Sequence, residues 1–204
     1  MKYKNTLWLI MIFFFGNSFV SQKPGVDNPV KRWIVSKNSS LSVNGSTNVN
    51  KFSCIIPAYD QVDTLAFSKN RKSNGIILKG TIKLSISSFD CHNSGMTKQL
   101  EKTLNEKQFP ELHVRFLTLS KIPDLNNRPE AITGFVEIEI AGVSKSYNVN
   151  YQITQKDQKN IYLAGARDVN FSDFNLVPPR KLGGMIKTKD QLSVDFQLNM
   201  KAIE

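Results

Sequence analysis

Histidine, cysteine and acidic residues are scarce in this chain, and each shortage removes a class of chemistry. Two histidines, His92 and His113, and two cysteines, Cys54 and Cys91, are all it has in 204 residues. A three-histidine zinc site is out of reach, and a mixed site needs one more soft ligand than the sequence places nearby. No GxSxG, HExxH or phosphate-loop pattern occurs, so the nucleophile elbow, the zinc-protease helix and the nucleotide cradle are missing. Glu137 and Glu139 stand two apart in an alternating segment and share its wet face, while His113 and Arg115 fall on the wet face of theirs. A surface salt bridge is the ordinary reading of such charges. The sequence argues against an enzyme and implies no cofactor.

Long apolar runs are equally scarce. One spans residues 7–15 (LWLIMIFFF), after Lys2 and Lys4 and before the small residues Gly16, Ser18 and Ser21. That is the layout of a secretory signal, cut after Ser18 or Ser21. Spanning a bilayer takes about 20 apolar residues, about twice this run. Residues 1–21 are therefore read as a cleaved signal peptide and 22–204 as one domain with a sizeable core, periplasmic or secreted. No cysteine stands at the cut to carry a lipid anchor. Acids number 17 against 27 Lys and Arg, and taking Lys2 and Lys4 from the net charge of +10 leaves +8. Such a balance attracts anionic lipid headgroups or nucleic acid. The lysines are spread out, with no recognition helix or aromatic-rich basic stripe, so nucleic acid is not expected, whereas a peripheral membrane encounter is compatible with the charge. In an oxidising compartment an isolated cysteine pair forms a bridge, here Cys54–Cys91; a metal or redox role is the alternative, since His92 follows Cys91.

What the sequence does have is alternation. Leu192, Val194, Phe196, Leu198 and Met200 take one phase and Ser193, Asp195, Gln197, Asn199 and Lys201 the other. The same period recurs at Ile82/Leu84/Ile86, Val136/Ile138/Ile140 and Tyr147/Val149/Tyr151/Ile153. Side chains alternate across a strand, so each segment has one apolar and one polar face. Strands are predicted at 33–35 and 41–43 (as a first pair), 47–56, 64–67, 76–87, 112–120, 131–140, 146–154, 160–169 and 191–202, with a Pro- and Gly-rich loop at 171–184. One segment changes period: after Ser94, read as an N-cap, Met96, Leu100 and Leu104 recur every four residues until Pro110. That predicts a short amphipathic helix, either a plug in the core or a movable lid. So many strands without a catalytic motif suggest a closed or curled sheet around an apolar interior, and the function is expected there. Candidates for the lumen are Leu84, Ile86, Phe116, Ile138, Val149, Tyr151 and Phe196 on strands, with Met96 and Leu100 on the helix.

Several landmarks occur in order: TNVNKF at 47–52, SISSFDCHNSGM at 85–96, FPELHVRF at 109–116, ITGFVEIEIAGVSKSYNV at 132–149, FSDFNLVPP at 171–179 and the final LSVDFQLNM at 192–200. Together they resemble the YceI-like family of secreted bacterial lipocalin-like proteins across the whole mature chain. The resemblance implies an all-β fold, an eight-stranded antiparallel lipocalin-like barrel with one short helix near its mouth. It also implies that a polyisoprenoid or related amphiphile is bound in the lumen. Two landmarks depart from the family. Phe89-Asp90-Cys91 stands where many members have an Arg-Asp pair, and Ser172-Asp173-Phe174-Asn175 where many have Arg-x-Asp-Phe-Gly. Headgroup contacts of the lost residues therefore do not carry over. The competing class is a structural or interaction protein whose barrel is filled by its own side chains, and cavity volume separates the two.

Overall fold

The computed structural model describes residues 31–69, 76–121, 129–155, 157 and 159–203. The expected signal peptide, residues 1–21, lies outside them. The strands in chain order are β1 (Lys31–Val35), β2 (Ser40–Ser46), β3 (Lys51–Ile56), β4 (Thr64–Lys69), β5 (Ile76–Ser85), β6 (Glu111–Leu119), β7 (Glu130–Ile140), β8 (Val143–Gln155), β9 (Asn160–Asn170), β10 (Arg180–Lys181), β11 (Ile186–Lys187) and β12 (Gln191–Ile203). One α-helix, α1 (Ser94–Thr103), stands between β5 and β6. Eight strands close an antiparallel barrel in the order β1-β4-β5-β6-β7-β8-β9-β12 and back to β1. Closure leaves no edge along the ring to recruit another chain.

The long strand β12 organises one side of the barrel. Its C-terminal part pairs with β1 (Val35 opposite Met200) and its N-terminal part with β2 (Val43 opposite Val194), so β1 and β2 lie end to end along it. They are not the hairpin their proximity in sequence suggests. The break between them is fastened to β12: Ser36 N donates to the Asn199 carbonyl, and Asn199 N donates to Ser39 Oγ of the buried Ser39. β3 folds back on β2 after a turn at 47–50, so strand structure begins at Lys51 and not at Thr47. Ile55 then bridges to Asp90, which completes the wall at this end.

Alternation holds where it was read, except at Ile86, which lies beyond the end of β5. The β8 pattern buries Tyr147, Val149, Tyr151 and Ile153 and exposes the residues between them. The β7–β8 turn is made by Ala141 and Gly142 at φ 50° and 77°, the left-handed pair a two-residue hairpin requires. A side chain at Gly142 would also meet Phe109 Cε1 at 2.9 Å. One end of the barrel is solid: Trp33 and Phe67 pack with ring centroids 3.8 Å apart and planes tilted by 57°, and Leu65, Leu78, Leu119, Ile153, Leu163 and Met200 are buried with them. The other end is the mouth, where α1, a 3-10 turn at Phe171–Phe174 and the β10–β11 hairpin gather. The region 171–184, expected as loop, therefore carries local structure. No helix among the described residues is long and apolar enough to cross a membrane.

Helix α1 is capped by Asn93, whose side chain accepts from Met96 N at 3.0 Å; Ser94, the expected cap, is its first residue. None of its ten residues is fully buried, which rules out a core plug. Leu104, the C-cap, is buried, while Met96 and Leu100 are half-buried against the barrel end. Cys54 and Cys91 are bonded, joining β3 to the segment that leads into the helix.

Candidate functional site

Between the solid end and the mouth, the inward faces of the barrel strands surround an apolar cavity of about 60 Å³. Ile82 and Leu84 of β5, Val114 and Phe116 of β6, Val136 and Ile138 of β7, Val149 of β8, and Val194, Phe196 and Leu198 of β12 form its wall, joined by Leu41 and Ile56 from the β2–β3 hairpin. Five of the predicted lumen residues, Leu84, Phe116, Ile138, Val149 and Phe196, line it.

The other four lie elsewhere. Tyr151 is buried behind the wall, its ring 6.3 Å from Phe116 and 5.8 Å from Phe196 between centroids, and its hydroxyl makes no hydrogen bond to a described residue. Burial alone holds that hydroxyl well above the usual tyrosine range. Ile86 is fully buried but outside the core cluster, because β5 ends at Ser85 and Ile86 begins a one-turn 3-10 helix held by the Pro110 carbonyl. Met96 and Leu100 face a second pocket of about 170 Å³ beneath α1, walled by Phe52, Cys54, Phe171, Pro179 and Ile186. The helix lies across the barrel end, so its apolar stripe meets the β3 hairpin and not the lumen.

Sequence reasoning missed Leu41 and Ile56, which reach the lumen only because β2 continues the line of β1. It also missed the four polar members of the wall, Ser39, Ser40, Tyr59 and Arg167. For Arg167 the signal was present: it shares a phase with Leu163, Gly165 and Val169, but its charge argues for water. Its guanidinium lies 5.4 Å from the Tyr147 ring centroid and remains exposed to solvent. Tyr147 OH donates to Asp173 Oδ2 at 2.9 Å, and Asn170 N donates to the same oxygen at 3.0 Å. These bonds, the backbone one foremost, hold the Asp173 carboxyl below its ordinary 3.8. Burial, helped by Asp173, raises the Tyr147 hydroxyl. Tyr59 makes a similar pair with Asp63, which also accepts from Lys83 N at 3.1 Å; burial first and Asp63 second raise its hydroxyl.

On the outer wall Arg115 pairs with Glu137, N···O 2.5 Å, and His113 stands 3.5 Å from Glu111 and 3.7 Å from Glu139. Among the described residues no three His, Cys, Asp or Glu side chains gather to hold a metal ion. An open groove of about 660 Å³ crosses the outside of β8, β9 and β12, with polar sides at Asn150, Gln152, Asp195 and Gln197. Chemically, the lumen offers contact with apolar groups. Each buried methylene is worth about 0.8 kcal/mol, so a five-carbon isoprene unit brings roughly 3–4 kcal/mol before the cost of ordering the chain.

No protein-family model matches this sequence, and no curated protein matches it. Solved structures do. A polyisoprenoid binding domain from Saccharophagus degradans, implicated in plant cell wall breakdown, aligns with a TM-score of 0.63 at 13% identity, over 84% of this chain and 98% of that one. BcnA from Burkholderia cenocepacia gives 0.58 at 14% identity, covering 79% and 95%. A YceI protein from Campylobacter jejuni gives 0.52 at 18% identity, covering 69% and 81%. At the level of fold, then, the sequence resemblance holds: this chain forms an eight-stranded antiparallel barrel similar to those three structures.

Proposed function

We propose that this protein binds the apolar chain of a polyisoprenoid, quinone or similar amphiphile in its barrel and carries or sequesters it outside the cytoplasm, without catalysing a reaction. The observation behind this reading is the cavity wall, in which twelve of sixteen lining residues are aliphatic or phenylalanine. The fold it shares with a polyisoprenoid binding domain points the same way. The disulfide fits an oxidising compartment, and residues 1–21 fit a secretory signal.

A barrel filled by its own side chains is the second reading, and the cavity's size favours it. About 60 Å³ is far below the roughly 300–1,000 Å³ of ligand pockets. Under the first reading the lumen widens around its guest, through half-buried wall members such as Val114, Ile138 and Phe196 and exposed Arg167. Native mass spectrometry with lipid extraction separates the two. Ile138→Arg, which puts a charge in the lumen, abolishes co-purifying lipid, whereas Phe135→Arg on the outward face of the same strand leaves it. Equal lipid in both variants, or none in the wild-type protein, sinks the first reading.

A further inference from the structure

The tip of the mouth is both basic and apolar. The turn at 47–50 is docked on the β10–β11 hairpin through Asn48: its side-chain amide donates to the Met185 carbonyl at 2.9 Å, its side-chain oxygen accepts from Lys187 N at 2.9 Å, and its own N–H donates to the Lys187 carbonyl at 3.1 Å. Three large apolar side chains on this joined tip face water, Val49 at 65%, Leu182 at 65% and Met185 at 70% exposure, and Val177 just before the hairpin is 75% exposed. Scattered single apolar residues need no explanation, but a cluster at one end does. The hairpin also keeps Leu182 at φ 50°, a conformation that suits glycine or asparagine far better than leucine.

The charge around the tip has one sign. Arg180, Lys181, Lys187 and Lys189 are exposed on the hairpin segment, with Lys51 at the base of the neighbouring strand. No acid occurs from residue 174 to 189. Asp190, the next, is occupied by the backbone N–H and hydroxyl of Ser172. None of the five cations forms an ion pair with a described residue. Lys181, Pro179 and Ile186 also line the apolar pocket beneath α1, so this pocket lies directly behind the tip.

We infer that this tip docks on an anionic lipid bilayer, its cations at the phosphate level and Val49, Leu182 and Met185 inserted below them. Apolar tips framed by lysine and arginine are what an anionic membrane surface selects, and a protein partner of matching charge is the outcome the test must exclude. The docking surface stands apart from the lumen. Ile138→Arg, which removes the lumen, must still dock, so failure of the lipid-carrier reading and failure of this one give different results.

The test is flotation of the purified protein with phosphatidylcholine vesicles, with and without phosphatidylglycerol. Wild-type protein floats with the phosphatidylglycerol vesicles, less at high salt, and far less with phosphatidylcholine alone. Each cation at an anionic surface is worth roughly fivefold in partition, so Lys181→Gln with Lys187→Gln lowers it about twenty-fivefold. Leu182→Ser with Met185→Ser lowers it roughly tenfold or more, while Phe135→Ser, exposed on the barrel wall, leaves it unchanged. Thermal melts confirm that the variants are folded. Equal binding to both vesicle types, wild-type binding by both tip variants, or no vesicle binding at all overturns the proposal. So does a self-association abolished by the apolar tip variant without any membrane binding.

Discussion

Gly165 is where a single methyl group tests the packing of the lumen. It lies between Tyr151 on β8 and Phe196 on β12, opposite both in register, and their rings meet across it edge to face at 5.8 Å. A methyl carbon here would be 2.4 Å from Phe196 Cζ and 2.8 Å from its Cε1. Carbon atoms need about 3.5–4.0 Å, so the ring must withdraw by roughly an ångström or more. The ring already lines the cavity of about 60 Å³, and withdrawing into it crowds the facing wall. Gly165→Ala therefore overpacks the barrel and costs about 1–3 kcal/mol. Urea unfolding followed by tryptophan fluorescence measures it, since Trp33 is buried against Phe67 and reports loss of the core. In a Phe196→Leu background the same change should cost under about 1 kcal/mol, giving a coupling of about 1–2 kcal/mol. An equal loss in both backgrounds refutes the ring as the obstacle and moves it to the Asn150 carbonyl, 3.2 Å from the added carbon. No loss in either refutes the packing argument altogether. If the lumen holds a lipid, the displaced ring also lowers the amount that co-purifies.

Cys54→Ser should cost about 4 kcal/mol in the chain-entropy model, because the bridge closes a loop of 37 residues; non-reducing peptide mapping should show one linked pair and no alkylatable thiol. Leu100→Ser should cost about 1–2 kcal/mol, less than the roughly 2–5 of a fully buried leucine truncation, because this side chain is half-buried; a faster release of bound lipid in the same variant identifies α1 as a lid, and an unchanged release rate refutes it. Asp173 has a folded pKa below its ordinary 3.8, so its contribution is present above that value and disappears as pH falls through the lower, folded one. The melting-temperature gap between wild type and Asp173→Ala should therefore be constant near neutral pH and close in acid; a gap that persists at the lowest pH contradicts the assignment.

The two-residue period was legible without any structure because it is a property of the backbone itself: successive side chains leave a strand on opposite faces. Hence Leu84, Phe116, Ile138, Val149 and Phe196 could be assigned to the lumen, and the four-residue spacing of Met96, Leu100 and Leu104 could be assigned to a helix. The disulfide was legible from the isolated cysteine pair together with the expected compartment. Which wall the helical stripe would meet was not, since periodicity gives an element its apolar face but not that face's partner. The Asn93 cap turned on which of two competent neighbours reaches Met96 N, a matter of ångströms. Ring closure was decided by pairings such as Arg32 with Ile203, and the tip by bringing Asn48 to Met185. Alternation is local and carried by every residue. Register between distant strands is set by which arrangement closes the ring with all inward faces buried, and only the folded chain contains that information.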